Sequence, residues 1–232
     1  MQSNIASTES HPGCYDLWVA RGSYHHGDLP AALINAGLDT VADNGIAALS
    51  VAEAAKRVGV SAAAPYRHFP HRRAFLAAVT TVAAREFDTE VRAAIPVQPD
   101  GESHEWVLDA MSATAETYVR FVARRRIGWD VIYGSGFREE LDDARLDVLR
   151  SLNDAFFAPA LVATGGDARR ALRLLEHEIA AAHGYASLYL VGMFDSVYPE
   201  IDRAAAQAAA ITRTLASAEI TRRTGPSPGA GL

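Results

Sequence analysis

Apolar residues recur at spacings of three and four along most of the 232-residue chain, whereas the alternation typical of strands is nearly absent. Spacings of three and four place apolar side chains on one face of an α-helix. The 49% content of hydrophobic residues is also enough for a substantial core. The pattern therefore predicts an all-α protein with one or two domains.

Capping residues and glycines divide this pattern into helices. A first helix is predicted from about Asp28 to Asn44, where Gly45 supplies a stop. A second begins at Ser50-Val-Ala-Glu53, which has the form of a capping box. A long helix follows the next turn region, from about Arg72 to Ile95. Further helices are predicted at about 102–125, 129–133, 138–163, 167–194 and 201–220.

The residues between the second helix and the long helix form a candidate helix-turn-helix. Gly59 can adopt the positive φ that ends the second helix, and Ser61 is placed to cap another short helix. This motif offers one helix to the major groove while the other crosses the DNA backbone. The spacing favours DNA binding, although an alanine-rich turn between packed helices would have the same spacing.

The side chains of the second short helix suit DNA contacts. Ala62 and Ala63 are small enough for a close approach to bases, and their methyl groups can meet thymine methyls. Tyr66, Arg67 and His68 can donate hydrogen bonds to phosphates, and Arg67 can instead reach a guanine edge. Phosphate contacts position such a module, while base contacts give it specificity.

The distribution of charge is compatible with this interpretation only in the first third of the chain. The net charge of −6 and the pI near 5.7 argue against a nucleic-acid partner for the chain as a whole. Residues 20–75, however, contain six basic and four acidic residues. Any contact with DNA is therefore expected in this N-terminal segment.

Residues 1–95 resemble the N-terminal domain of TetR/AcrR-family transcriptional regulators. The matching motif positions, in order, are Leu49-Ser50-Val51, Ala54-Ala55, Gly59-Val60-Ser61 and Tyr66-Arg67-His68-Phe69. The resemblance implies a helix-turn-helix that binds double-stranded DNA at a near-palindromic operator. It also places Tyr24 and His25 near the DNA backbone and Arg72 near a phosphate. The predicted DNA-contacting residues are Tyr24, His25, Ser50, Ser61, Ala62, Ala63, Tyr66, Arg67, His68 and Arg72.

Two finer features allow a closer comparison with this family. Tyr24 to Leu29 and Ala63 to Phe69 look like a subgroup whose C-terminal domain carries a Trp-His-Gly motif. His183-Gly184 matches the His-Gly pair, but Ile179 stands where tryptophan is expected. After Phe69, Arg72-Arg73 replaces the usual Lys-Glu pair, so a surface cation and an additional phosphate contact are both open interpretations of Arg73.

The resemblance also implies a small-molecule effector bound inside the C-terminal domain. Aromatic residues with a few polar groups suit such a pocket, although core packing explains each residue singly as well. The pocket candidates are Trp129, Tyr133, Phe156, His177 and His183.

Homodimerisation is implied in the same way, through the two C-terminal helices. These helices present small and apolar residues that permit close helix packing. The predicted interface residues are Leu175, Ala182, Ala186, Tyr189, Ala208, Ile211 and Leu215. A ligand-responsive repressor is favoured by what is usual in the family; an activator and a repressor without an effector remain alternatives.

Other classes of protein have little support in the sequence. We find no Ser-His-Asp order, glycine-rich phosphate loop or paired-carboxylate motif, so no enzyme, cofactor or catalytic residue is predicted. A metal site is not expected either, because adjacent histidines such as His25 and His26 point apart on a helix. The single cysteine, Cys14, and the lack of a signal peptide or a membrane-spanning run favour the cytoplasm and no membrane partner.

The predicted organisation follows from these patterns. It comprises a mobile arm (1–20), a helix-turn-helix domain (21–75), a connecting helix (76–95), a helical effector-binding and dimerisation domain (96–223) and a disordered tail (224–232). A helical enzyme or an interaction module without DNA activity is a remote alternative.

Overall fold

A computed structural model of the protein describes residues 28–101, 103–133, 143–193 and 200–224. Every regular element among these residues is helical, which confirms the predicted fold class. The α-helices are α1 (Leu29–Asn44), α2 (Val51–Val58), α3 (Arg72–Ala94), α4 (His104–Arg125), α5 (Trp129–Ile132), α6 (Asp143–Ala163), α7 (Ala168–Leu190) and α8 (Ile201–Thr224). Short 3₁₀ turns lie at Ile46–Ala48 and Ala64–Arg67.

The helix ends in the N-terminal module follow from local sequence. The Asp28 carboxylate accepts a hydrogen bond from the Ala31 amide at 3.2 Å and caps α1. Ser50 Oγ accepts from the Glu53 amide at 3.4 Å and caps α2. In a capping box the Glu53 side chain would also accept from the Ser50 amide. This part of the prediction is wrong, because the Glu53 carboxylate instead lies 3.9 Å from Arg57 Nε, one turn along the helix. Gly59 ends α2 in the left-handed conformation at φ 80°.

The N-terminal module has a core made by α1, α2 and the first turns of α3. Leu33, Leu49 and Phe75 are almost completely buried there. Phe69, which follows the Ala64–Arg67 turn, is 7% exposed and lies 5.1 Å from the ring of Phe75. Apolar packing of Phe69 against Phe75 therefore attaches the turn to the core of the module.

Helix α3 continues from this module into the second domain, where it packs against α4, α5 and α6. Phe87 of α3 is fully buried and lies within 6.1 Å of four other aromatic rings. Those rings belong to Tyr118, Phe121, Trp129 and Phe156. The same helix thus contributes to the cores of both parts of the chain.

Helices α4, α7 and α8 form the other side of the second domain and pack closely against one another. Ala204, Ala208 and Ala186 are fully buried in these contacts, so small side chains allow the helices to approach. At the rim, Arg120 Nε donates to the Asp202 carboxylate at 2.8 Å and joins α4 to α8.

The structure modifies some predicted bounds. Helix α8 extends to Thr224, beyond the predicted end at residue 220, and α5 ends at Ile132. Helix α6 is described from Asp143 onward, so its predicted first turns lie outside the described residues. The predicted N-terminal arm of residues 1–20 also lies outside them, as does the predicted tail of residues 224–232 apart from Thr224, which ends α8.

Candidate functional site

The short helix predicted after Ser61 is a single 3₁₀ turn, Ala64–Arg67, which we call the recognition turn. Pro65 explains the difference: it has no amide hydrogen to donate, and its ring obstructs an α-helix starting upstream. The Pro65 carbonyl accepts from the amides of His68 and Phe69, at 2.9 and 2.8 Å. Pro65 itself is buried, and so it anchors the turn to the module.

The side chains on the outer face of the recognition turn are free of the core. Tyr66 is 51% exposed, and Arg67 and His68 are exposed beside it. Ala62 and Ala63, which precede the turn, are also exposed. These five predicted contact residues are therefore all exposed, whereas Pro65 and Phe69 of the same stretch are buried.

Ser61 contributes differently from the prediction. It is exposed, but its carbonyl and not its hydroxyl serves the turn, accepting from the Ala64 amide at 3.0 Å. The 3₁₀ turn has no side-chain cap. The predicted capping role of the Ser61 side chain is therefore wrong, and its hydroxyl is left available at the surface.

Ser50 and Arg72 lie at two helix N-termini next to this surface. Arg72 Nε donates to the Leu49 carbonyl at 3.0 Å, just before Ser50, which caps α2. This bond connects the start of α3 to the residue before α2, so two of the predicted DNA-contacting residues, Ser50 and Arg72, lie at connected helix ends. Tyr24 and His25 lie outside the described residues.

A second candidate site is a cavity of about 610 Å³ in the second domain, between α5, α6 and α7. Of the five predicted pocket residues, Trp129, Tyr133 and Phe156 line it. The additional lining residues, which the sequence prediction missed, are Leu152, Asn153, Asp154, Phe157, Leu172, Leu175 and Ile179. The size is within the range of ligand sites for small molecules.

The cavity changes in character from its floor to its mouth. Leu152 is fully buried and Phe156 is 4% exposed, so the floor is apolar. Leu172 is 54% exposed, and Asn153 and Asp154 are exposed as well, so these residues mark the mouth. The Tyr133 hydroxyl donates to Asn153 Oδ1 at 2.8 Å and holds the mouth in place.

His183 does not line this cavity. Its Nδ1 lies 2.7 Å from the Tyr118 hydroxyl, which accepts from the Trp129 amide at 3.1 Å. Burial raises the pKa of the Tyr118 phenol above its ordinary value, so the hydroxyl keeps its proton. At Gly128 a Cβ atom would lie 2.9 Å from that hydroxyl oxygen, so this network requires glycine there.

His177 is not a pocket residue of this cavity either. It is exposed on α7 and borders a separate small groove of about 170 Å³ between α7 and α8, beside Arg170, Arg173 and Glu219. Six positions separate His177 from His183, which places them on different sides of the helix.

The predicted dimer interface divides into buried and accessible residues. Leu175, Ala182, Ala186 and Ala208 are at most 9% exposed in a single chain and cannot offer side-chain surface to a partner, so their assignment is wrong. Their small size serves packing within the chain. Ile211 is 39% exposed, and Tyr189 and Leu215 are partly exposed, so these three stay candidates.

Arg145 is a further residue that the sequence did not reveal. It is 2% exposed on α6, and its guanidinium donates to Thr80 Oγ1 at 2.9 Å and Thr81 Oγ1 at 3.0 Å on α3. Its other amino group donates to the Ile132 carbonyl at 2.8 Å. Ile132 directly precedes Tyr133 of the cavity, so Arg145 joins the cavity wall to the helix that continues from the N-terminal module.

The described part of the chain contains no group of three or more His, Cys, Asp and Glu residues that could hold a metal ion. No helix there is long and apolar enough to span a membrane.

Residues 33–79 match the family model described as "Bacterial regulatory proteins, tetR family". The chain has the fold of a TetR-like transcriptional regulator. The matched residues include α2, the recognition turn and the start of α3, and so contain the described DNA-contacting candidates. The matched family consists of regulators and not enzymes, in agreement with the prediction. The Trp-His-Gly subgroup stays a prediction.

Solved structures support the TetR-like fold over most of the chain. A TetR variant from Acinetobacter baumannii AYE in complex with minocycline has a TM-score of 0.57 at 18% identity, covering 84% of this chain and 98% of that one. A TetR-like transcriptional regulator from Rhodococcus sp. RHA1 gives 0.54 at 18%, covering 81% and 93%. A protein of unknown function from Rhodococcus sp. RHA1 gives 0.58 at 23%, covering 82% and 96%. No curated protein matches the chain.

Proposed function

We propose that this protein is a homodimeric transcriptional repressor that binds a near-palindromic operator and is released from it by a small molecule. The observation that carries DNA binding is the recognition turn, where exposed Tyr66, Arg67 and His68 stand above buried Pro65 and Phe69. Hydrogen-bond donors on a rigid support are what phosphate contacts require. The match of residues 33–79 to a family of regulatory proteins supports the same function.

A dimer would present two recognition turns to successive major grooves, roughly 34 Å apart, and the operator would then be a near-palindrome. The exposed side of α8, with Ile211 and Leu215, is the proposed interface together with Tyr189 of α7. Two helices from each chain would form a four-helix contact.

The cavity is the proposed effector site, and Arg145 is the proposed connection to DNA binding. An effector that binds one arrangement of the cavity wall better than the other would shift the position of Ile132 relative to α3 through Arg145. A coupling free energy of about 1–3 kcal/mol is typical of such systems. An effector with equal affinity for both arrangements would have no effect on DNA binding.

Footprinting of the DNA that flanks the protein's own gene, at several salt concentrations, tests the DNA-binding function. A protected near-palindrome whose affinity falls steeply with salt is the expected result. The double variant Tyr66→Ala/Arg67→Ala should lose this protection. Arg150→Ala removes an exposed arginine from α6 of the second domain and is the matched control, which should keep it. Equal binding by both variants, or binding insensitive to salt, contradicts the assignment.

A further inference from the structure

The charge at the mouth of the cavity carries information about the ligand. None of the described residues that line the cavity is Lys, Arg or His. Asp154 is the acidic residue among them, and it is exposed at the mouth. A carboxylate or phosphate ligand would therefore meet negative charge and no described cation, whereas a positive group would be attracted.

The remainder of the lining describes the body of the ligand. Four aromatic side chains and four aliphatic ones surround the cavity, from the buried Leu152 to the exposed Leu172. A large apolar group would replace water against these walls. The faces of aromatic rings also attract cations, so Tyr133 near the mouth favours the same sign of charge as Asp154.

We infer that the cavity binds a lipophilic cation, with its apolar body on the floor formed by Leu152 and Phe156 and its positive group at the mouth beside Asp154. The class includes quaternary ammonium ions and protonated amines with large apolar substituents. The regulatory consequence of this inference rests on the proposed function, because release from DNA requires that the cavity is the effector site. Binding itself can be measured without DNA.

Three probes with the same ten-carbon chain separate charge from hydrophobicity: decyltrimethylammonium, 1-decanol and decanoate. Each is added to the full-length protein at concentrations at which the probe is dissolved as single molecules, and binding is followed by calorimetry at pH 7.4. The expected order of affinity is decyltrimethylammonium, then decanol, then decanoate. Decanoate binding as tightly as the ammonium ion, or no binding of the ammonium ion in the millimolar range, overturns the inference.

Variants of Asp154 locate the positive group. Since the residue is exposed, Asp154→Asn should weaken decyltrimethylammonium binding by about fivefold and leave decanol unchanged. Asp154→Lys should reverse the preference, so that decanoate binds more tightly than the ammonium ion. Asp147→Asn removes another exposed carboxylate of α6 that does not line this cavity, and it should change neither affinity. The inference is overturned if Asp154→Asn changes the affinity for all three probes equally. It is also overturned if Asp147→Asn weakens binding of the ammonium ion as much as Asp154→Asn does.

Operator release provides a separate measurement. Release of the footprinted operator by decyltrimethylammonium, lost in Asp154→Asn, supports both the ligand class and the effector site. Charge-selective binding that leaves operator affinity unchanged supports the ligand class and contradicts the effector role of the cavity. Operator release by decanoate in preference to the ammonium ion contradicts the ligand class and leaves the regulator itself established.

Discussion

The recognition turn and the cavity are built in opposite ways. The recognition turn and the residues that flank it form one consecutive stretch, Ala62 to Phe69, in which Pro65 and Phe69 are buried and most other side chains are exposed. The cavity takes its side chains from residues of three helices and from Tyr133, between Trp129 and Ile179, and it has a buried floor and an exposed mouth. A surface of the first kind depends on local conformation, whereas a surface of the second kind exists only when the helices pack correctly.

This difference implies that the two regions respond differently to the loss of an aromatic ring. An exposed ring in the turn contributes little to folding, and under the proposed function it contacts DNA. A buried ring beside the cavity contributes to folding first, and to ligand binding only through the shape that folding gives.

Phe87→Ala should have the largest effect on stability. The ring is fully buried and lies 5.5 Å from Trp129 and 6.1 Å from Phe156, so its removal leaves a void beside the cavity wall. We expect the free energy of unfolding to fall by about 3–5 kcal/mol in urea denaturation. Tyr66→Ala, which removes an exposed ring, should change it by less than about 0.5 kcal/mol while weakening DNA binding. Similar losses of stability in both variants would contradict the comparison.

The same difference explains which features could be predicted from the sequence. Helix caps such as Asp28 and Ser50, and the stop at Gly59, act over three or four residues and were visible as spacing. Tyr66 and Arg67 were expected on a short helix, and the structure has them exposed on a 3₁₀ turn instead. Local hydrogen bonding therefore fixed most of the helices and the surface of the N-terminal module.

The cavity could be predicted only in part, because helical periodicity identifies a buried face but not its neighbours. Trp129, Tyr133 and Phe156 stood out as aromatic residues, whereas no sequence pattern singled out Asp154. Ala182 shows the opposite error: a small residue suits both a dimer interface and a contact within one chain. Only the packing of α7 against α4 and α8 distinguishes these two roles.

Arg145→Met tests the connection between the two regions. The variant removes hydrogen bonds to Thr80, Thr81 and the Ile132 carbonyl, and we expect a loss of about 2 kcal/mol in the free energy of unfolding. Operator affinity without ligand should change little, whereas the ability of a cavity ligand to release DNA should be reduced. Arg150→Met on the exposed side of α6 is the control for both measurements. An unaltered ligand response would show that Arg145 serves stability alone.

Glu178→Gln tests whether pH acts on the second domain. Burial raises the pKa of the Glu178 carboxyl from its ordinary value of 4.5 to about 8, and Thr114 donates to it at 2.5 Å. Between about pH 4.5 and 8 the Glu178 carboxyl is protonated in the folded chain and ionised in the unfolded chain. The free energy of unfolding therefore falls as pH rises through that window. The variant should be more stable than the wild type at pH 8.5, by about 1–2 kcal/mol, because a neutral amide avoids this loss. Urea denaturation at pH 5 and pH 8.5 measures the change, with the exposed Glu176→Gln as control. An equal pH dependence in all three proteins would contradict the prediction.

Substitutions of Ser50 separate local folding from DNA contact within the N-terminal module itself. Ser50→Ala removes the oxygen that accepts from the Glu53 amide, and we expect a loss of about 1 kcal/mol in the free energy of unfolding. Ser50→Asp keeps an acceptor at the cap and should retain stability within about 0.5 kcal/mol. Its added negative charge would nevertheless lie beside the DNA backbone, so operator affinity should fall more in the aspartate variant than in the alanine variant. Urea denaturation should show the larger loss of stability in Ser50→Ala, and operator titrations should show the larger loss of affinity in Ser50→Asp. Since capping alone predicts that affinity follows stability, a stronger loss of DNA binding in Ser50→Ala would remove Ser50 from the DNA-contacting surface and leave it a cap only.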